Sequence, residues 1–247
     1  ENVGNIPPNF QFARVLSIKE LSPIFLRVIL QGENFSAYSN KSIHFRLVLP
    51  PKDIEPVWPT IAANGSTIWP QGSQSLHKPV YTTRFLDYKK NIITTDVYMH
   101  EGGKITEWAQ EVSEGSKKRN IVGIIGPVGA GLIFSDKVFM ATDETGFPAA
   151  TRILEKLNKK TEGKIILETK NGQLQYPIKI PKSINVQLLN RNKGENLKNE
   201  TLKVLKNYNN HTIWFAGEKK QANAVRDHVK KAGFDTKNLR ISSFWTI

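Results

Sequence analysis

A few short segments of the chain gather residue types that could do chemistry. Tyr81-Thr82-Thr83-Arg84 sets an aromatic ring, two hydroxyls and a fixed cation side by side. Such a ring can stack on a planar ligand or pack in a core. Asp96-Val97-Tyr98-Met99-His100 ends in a histidine and leads into Gly102-Gly103-Lys104-Ile105-Thr106. Paired glycines let a backbone come close to a ligand, and a helix start near Ile105 presents unbonded N–H groups. With the Thr106 hydroxyl and the mobile Lys104 cation, that set suits an anion. The competing reading is that Thr106 merely helps to start the helix. Asp143-Glu144-Thr145-Gly146 opens another helix, where Asp143 can serve equally as an N-cap. Gly217-Glu218 and Phe244-Trp245 complete the candidates.

Other chemistries are excluded by what is missing. The 247 residues hold no cysteine, which removes disulfides, Fe–S clusters, Cys-ligated zinc and thiolate nucleophiles. The five histidines, His44, His77, His100, His211 and His228, show no metal-ligand spacing. His100 is therefore read as a hydrogen-bonding or structural residue.

The elements that must position these residues change character along the chain. Phe10–Ile18, Ile24–Leu30, Ile43–Leu49, Val80–Phe85, Ile92–His100 and Ile121–Gly126 read as strands, with a helix over roughly 105–112. An antiparallel barrel is the simplest way to cover their edges. Residues 50–79 carry six of the 13 prolines and read as a long irregular loop. Beyond Gly126-Pro127-Val128-Gly129-Ala130-Gly131 the pattern alternates. Strands are expected at Val138–Thr142, Lys164–Thr169, Asn185–Leu189, Thr212–Ala216 and Leu239–Trp245. Helices are expected at Ala149–Lys159, Leu197–Tyr208 and Lys219–Ala232. Alternation of this kind predicts a parallel sheet that binds ligands at the carboxyl ends of its strands. The expected domains are a β-barrel over 1–130 and an α/β nucleotide-type domain over 131–247.

The chain carries a formal net charge of +13, of which +3 lies in residues 1–130 and +10 in 131–247. A basic half attracts nucleic acid, phosphate-bearing cofactors, acidic proteins or anionic small molecules. Its lysines are scattered through helices and no nucleic-acid-binding motif appears, so a nucleic-acid partner is not expected. No apolar run approaches the ~20 residues that a bilayer requires. Residues 1–5 lack the basic and apolar regions of a signal peptide, as would a mature chain already processed. A monomeric cytoplasmic protein is the expectation.

The order of the segments resembles the siderophore-interacting protein family of FAD-binding ferric-siderophore reductases, built on the ferredoxin-reductase plan. The family shows Arg-x-Tyr-Thr-x-Arg, His before Gly-Gly-Pro-Ala-Ser-x-Trp-Ala, Gly-Pro, Asp-Glu-Thr-x-x-Pro-Ala, Trp-x-Ala-Gly-Glu and a final aromatic-Trp pair. This chain matches at Tyr81–Arg84, at His100 with Gly102-Gly103 and Thr106-Glu107-Trp108-Ala109, and at Gly126-Pro127. It matches again at Asp143-Glu144-Thr145 with Pro148-Ala149, at Trp214–Glu218 and at Phe244-Trp245. It departs in three places. Pro79 stands for the first arginine, Lys104-Ile105-Thr106 for Pro-Ala-Ser, and Thr246 for the arginine that usually follows the last tryptophan.

The resemblance implies an FAD site of Tyr81, Thr82, Thr83, Arg84, Asp96, Val97, His100, Gly103, Lys104, Ile105, Thr106, Thr145 and Trp245. Tyr81 would stack on the flavin, and the segment from Gly103 to Thr106 with Arg84 would hold the pyrophosphate. Lys104 would replace the charge lost at Pro79. Thr145 would bond a flavin heteroatom, and Trp245 would lie near the ring. Asp143, Glu144, Gly217 and Glu218 would face the electron donor, and Arg46 the substrate. The implied activity is reduction of Fe(III) in a ferric siderophore, releasing Fe(II), which oxygen donors hold less tightly. NADH or NADPH would be the donor. Reduced ferredoxin is the alternative, favoured by Asp-Glu in place of a glycine fingerprint and by a chain that stops at Ile247. A flavin reductase acting on another acceptor is the nearest rival activity.

Overall fold

A computed structural model describes residues 5–246. The chain divides into two compact units, one running through Gly131 and one beginning at Leu132. Among the described residues no helix is long and apolar enough to cross a membrane.

The first unit comprises β1 (Phe10–Ser22), β2 (Phe25–Gln31), β3 (His44–Val48), the short hairpin β4 (Thr60–Ile61) and β5 (Thr67–Ile68), β6 (Val80–Thr82), β7 (Phe85–Asp87), β8 (Ile92–Tyr98), α1 (Lys104–Ser113) and β9 (Ile121–Val128). Seven strands form one antiparallel sheet in the order β6-β3-β9-β1-β2-β8-β7. The two outermost strands are consecutive in the chain. The Thr83 amide bonds the Ile43 carbonyl at 2.7 Å on one side, and the Arg84 amide bonds the Thr94 carbonyl at 2.8 Å on the other. The sheet thereby closes on itself, with Thr83-Arg84 as its seam. The run expected as one strand over Val80–Phe85 is split there, because adjacent peptides serve opposite edges.

Inward-facing residues of alternate parity fill the barrel: Val28, Leu30, Phe45, Leu47, Ile93, Val122 and Ile124. Helix α1 adds Ile105, Trp108 and Ala109 to this core. The Trp108 indole N–H donates to the Arg119 carbonyl at 3.0 Å, so the fully buried ring fixes how α1 lies on the barrel. The 50–79 segment is more ordered than its prolines suggest. Trp58 and Trp69 pack on Phe10, Phe12, Val48 and Ile125, and pin the small hairpin to the barrel.

The second unit comprises β10 (Lys137–Thr142), α2 (Phe147–Leu154), β11 (Glu162–Thr169), β12 (Ile184–Asn190), α3 (Leu197–Val204), β13 (Thr212–Glu218), α4 (Lys219–Lys231) and β14 (Leu239–Trp245). Its sheet is wholly parallel, in the order β12-β11-β10-β13-β14. Phe139, Ala141, Ile166, Ile213 and Phe215 meet Leu197, Leu205, Ala222, Val225 and Val229 from α3 and α4. Helix α2 is buried along most of its length and ends earlier than Lys159. Asn158 closes a turn there, accepting the Lys160 amide on its side chain and the Thr161 amide on its carbonyl. Lys156, Lys159 and Lys160 therefore follow the helix instead of ending it. The expected helix over 197–208 tightens into a 3-10 turn from Leu205.

Gly163 is required by the β10–β11 pair. Its φ is +148°, and a Cβ there would lie 1.8 Å from the Val138 carbonyl oxygen. Gly163→Ala is expected to lower stability by about 2–4 kcal/mol, read from urea unfolding of the purified variant.

Candidate functional site

The barrel seam is where the first group of candidates meets. Tyr81 is half-buried against the barrel core, and burial pushes its hydroxyl above the usual phenol range. Thr82 is buried, with its hydroxyl 3.4 Å from His44 Nδ1 and its carbonyl accepting the Thr95 hydroxyl at 2.8 Å. Thr83 and Arg84 are buried too. The Arg84 guanidinium lies 4.2 Å from the Phe85 ring centroid, and Arg27 lies 5.0 Å from it. Arg27 also makes a two-pronged pair with buried Asp96, with both bonds at 2.8 Å. Asp96 is thus committed to positioning Arg27, and Val97 is 1% exposed within the core. Arg27 has no motif of its own in the sequence; only the β2–β8 register brings it opposite Asp96.

The start of α1 is open. Gly103 is its N-cap and supplies no side-chain bond, and the amides of Lys104, Ile105 and Thr106 have no partner among the described residues. The His100 ring lies over Gly103, where a Cβ would come within 2.8 Å of it. Thr106 donates its hydroxyl to the His100 carbonyl at 3.2 Å, tying the loop to the helix. Ile105 points into the core and Lys104 is exposed. Lys104 lines a cleft of about 400 Å³ with Lys52, His77, Lys78 and Arg119. Burial, and then the Lys104 charge, pull His77 below the usual imidazole range. Lys104 therefore reaches the strand-entry segment in which Pro79 stands. Unbonded amides, a glycine cradle, cations and a half-buried aromatic ring form a donor set that fits FAD.

In the second unit the strand order reverses direction at β10, and its carboxyl end is the switch point of the sheet. Asp143 stands there, 3% exposed. Its Oδ1 accepts the Thr145 amide at 3.0 Å and the Thr145 hydroxyl at 2.5 Å. Its Oδ2 accepts the Trp245 indole N–H at 2.8 Å. The N-cap reading of Asp143 holds in this geometry, for the 3-10 turn that precedes α2. The Thr145 hydroxyl proton is spent on Asp143, so toward a ligand that oxygen can only accept. Gly217 packs beside the same carboxylate, where a Cβ would lie 3.3 Å from Oδ2.

Glu144 is held by partners within the unit. It is 2% exposed and accepts two bonds from Arg191, each 3.1 Å, and the Lys170 amide at 2.7 Å. Arg191 also bonds buried Glu168 at 2.8 Å, and Glu168 accepts the Leu197 amide at 2.6 Å. Burial alone would lower the Arg191 pKa, but its bonds to Glu144 and Glu168 carry it well above the usual range. Glu218 caps α4 through the Lys220 and Gln221 amides. Glu168 and Arg191 lie outside every sequence motif; the signal that could have found them is their common position at carboxyl ends of adjacent strands.

Two predictions follow from this corner. Burial raises the Asp143 carboxyl from 3.8 to about 6, with Glu144 adding to the rise while Thr145 and Trp245 oppose it. The folded state therefore holds the proton that the unfolded chain has released. Its stabilising contribution is complete below the unfolded value and is lost as pH rises toward about 6. Trp245 emission should titrate with that midpoint, and Asp143→Asn should abolish the titration. Arg191→Met leaves two buried carboxylates uncompensated. A loss of about 2–4 kcal/mol is expected in chemical unfolding, because the guanidinium is 40% exposed and partly screened.

Comparison with known proteins gives this geometry a context. An NADPH-dependent ferric-chelate reductase of Escherichia coli is 24% identical over 96% of this chain and 92% of its own length. Ferric vibriobactin reductase ViuB of Vibrio cholerae is 28% identical over 72% of this chain and 65% of that protein. The crystal structure of a siderophore utilization protein from T. fusca superposes with a TM-score of 0.75 at 21% identity, covering 98% of this chain and 94% of that one. Residues 14–131 match the siderophore-interacting FAD-binding domain and residues 135–247 the siderophore-interacting protein domain, so the chain belongs to the siderophore-interacting protein family.

Proposed function

We propose that this chain is an FAD-dependent reductase of ferric iron held in siderophore-type chelates, working in the cytoplasm with NADPH as donor. The observation that carries the reading is the open start of α1, with unbonded amides and the exposed Lys104, on the same barrel core as the half-buried Tyr81. The names of the relatives supply the acceptor and the donor. Bound FAD would supply the conversion of a two-electron donor into single-electron delivery.

The protein's own residues do the rest. The amides of Lys104, Ile105 and Thr106 and the Gly103 cradle receive the pyrophosphate, and Lys104 and Arg84 neutralise it. Tyr81 offers its ring for stacking, and its burial keeps the phenol protonated. Lys104 supplies from the helix side the charge that Pro79 cannot. Iron needs no protein ligand in this scheme. Asp143 holds Trp245 and Thr145 in place at the switch point. The second unit's +10 charge also favours an acidic protein such as reduced ferredoxin as donor.

The purified protein should show the two visible bands of a flavin, or acquire them when FAD is added, and release FAD on heating. NADPH, or else NADH or reduced ferredoxin, should bleach them, and a ferric siderophore should restore them with Fe(II) formed. A protein that takes up no FAD overturns the reading. Lys104→Ala should weaken FAD binding about five- to tenfold by fluorescence titration, with the fold unchanged by circular dichroism.

A further inference from the structure

The barrel sheet closes on itself, whereas the parallel sheet ends in two edges, β14 and β12. The β14 edge is guarded. Arg226 of α4 donates to its Ile241 carbonyl at 2.8 Å, Arg240 places a charge on the strand, and the β13–β14 register shifts at Gly217-Glu218. Charges and irregular register are common protection against edge pairing. The β12 edge has neither. Its sequence, Ile184-Asn185-Val186-Gln187-Leu188-Leu189-Asn190, holds no charged residue and no proline. It pairs with β11 in unbroken register from Ile184 to Asn190. Val186 and Leu188 are 47% and 40% exposed on its surface. A regular, uncharged, apolar edge is a template for another strand.

The Ile184 amide bonds the Pro181 carbonyl, and Glu195 takes both the amide and the carbonyl of Asn190. Backbone direction alternates along a strand, so the even-numbered residues of β12 point their amides and carbonyls away from β11. Val186 and Leu188 are the two in the middle, and no other strand reaches them among the described residues. They flank Gln187, which makes the pattern its own complement. About a two-fold axis at Gln187, an antiparallel copy sets Val186 against the partner's Leu188 and Leu188 against the partner's Val186. Both pairs are then of the hydrogen-bonded kind, and their exposed aliphatic side chains meet on one face. On the opposite face Gln187 donates to Glu200 at 3.3 Å, and Lys203 neutralises that carboxylate.

We propose that β12 is a self-association edge, pairing antiparallel about Gln187 with β12 of a second copy so that two five-stranded sheets become one. An acidic extended segment is the competing occupant, drawn by the +10 charge of this unit. The uncharged strand offers it no cation, whereas a second copy matches both the outward backbone groups and the side chains. The contact is small, so the dissociation constant is expected near about 100 µM, as for a transient encounter.

The test is sedimentation of the full chain with FAD present. Its mass should climb from 27.9 kDa toward twice that value between about 10 and 500 µM protein. The climb should steepen at high salt, because two copies of formal charge +13 repel each other. Leu188→Lys should weaken association at least about tenfold with circular dichroism unchanged. A chain without cysteine also permits a test of register. Gln187 would face the partner's Gln187 as a non-hydrogen-bonded pair with Cα atoms about 4.5 Å apart, within reach of a disulfide. Gln187→Cys should therefore oxidise to a covalent dimer. Asn185→Cys should not, because its counterpart would lie about 13 Å away along the ladder. Mass that stays monomeric throughout, or equal cross-linking at the two positions, overturns the proposal. So does a monomeric chain that binds a synthetic acidic strand peptide with an affinity that falls with salt, which would give the edge to an acidic partner.

Discussion

The closing of the barrel at Thr83 and Arg84 is the constraint on which the first unit depends. An open seven-stranded sheet would leave two rows of unpaired amides and carbonyls, and each would have to find water or a partner. Here one dipeptide serves both edges, through Ile43 on one side and Thr94 on the other. Because adjacent peptides point in opposite directions, the side chains around the seam are placed with little freedom. Tyr81 is held on the ladder with Phe45, and Arg84 is buried against Phe85. A motif located at such a point inherits the rigidity of the whole barrel. That rigidity is what a stacked ring requires if its distance from a substrate is to stay fixed.

The second unit solves a related problem with charge. Carboxyl ends of parallel strands gather exposed carbonyl oxygens, and here they also gather Asp143, Glu144, Glu168 and Glu218. Each carboxylate is buried, and its partners lie within the unit: Arg191 for Glu144 and Glu168, Thr145 and Trp245 for Asp143, and the first amides of α4 for Glu218. Breaking a buried pair costs far more than forming it gains, so these bonds fix the loops that carry them. The Arg191 fork spans the ends of three strands and keeps the β10 turn from shifting. Gly146 belongs to the same device, since a Cβ there would lie 1.9 Å from the Thr142 hydroxyl.

Much of this was legible in the sequence, and the illegible part has a common cause. Periodicity located the strands of both units because burial alternates along them. The Tyr81–Arg84, Gly102–Thr106 and Asp143–Thr145 segments stood out because residue types and spacing are local properties. What could not be read are interactions between residues far apart in the chain. The break of Val80–Phe85 into two strands is decided by Ile43 and Thr94. Asp96 reads as a ligand contact, and its pairing with Arg27, 69 positions away, lay outside any local signal. Thr145 reads as a flavin contact, and its bond to Asp143, which leaves its oxygen only an acceptor, was not part of that reading. Trp58 and Trp69 read as loop residues, and only Phe10, Phe12 and Ile125 show what orders them. In each case the local signal was silent about the partner.

The same distinction governs the meaning of the net charge. A count of +13 treats every acid and base alike, yet five of the acidic residues, Asp96, Asp143, Glu144, Glu168 and Glu218, are turned inward and buried. Their charges meet Arg27, Arg191, backbone amides and hydroxyls before they reach solvent. An approaching anion therefore meets less negative charge at the surface than the composition suggests, and lysines such as Lys78 and Lys104 that make no ion pair among the described residues. Attraction of this kind acts over a Debye length of about 8–10 Å and carries little specificity. Discrimination has to come at contact, from fixed donors such as the amides at the start of α1. Long-range charge gathers anions; short-range donors and aromatic faces decide which of them stay.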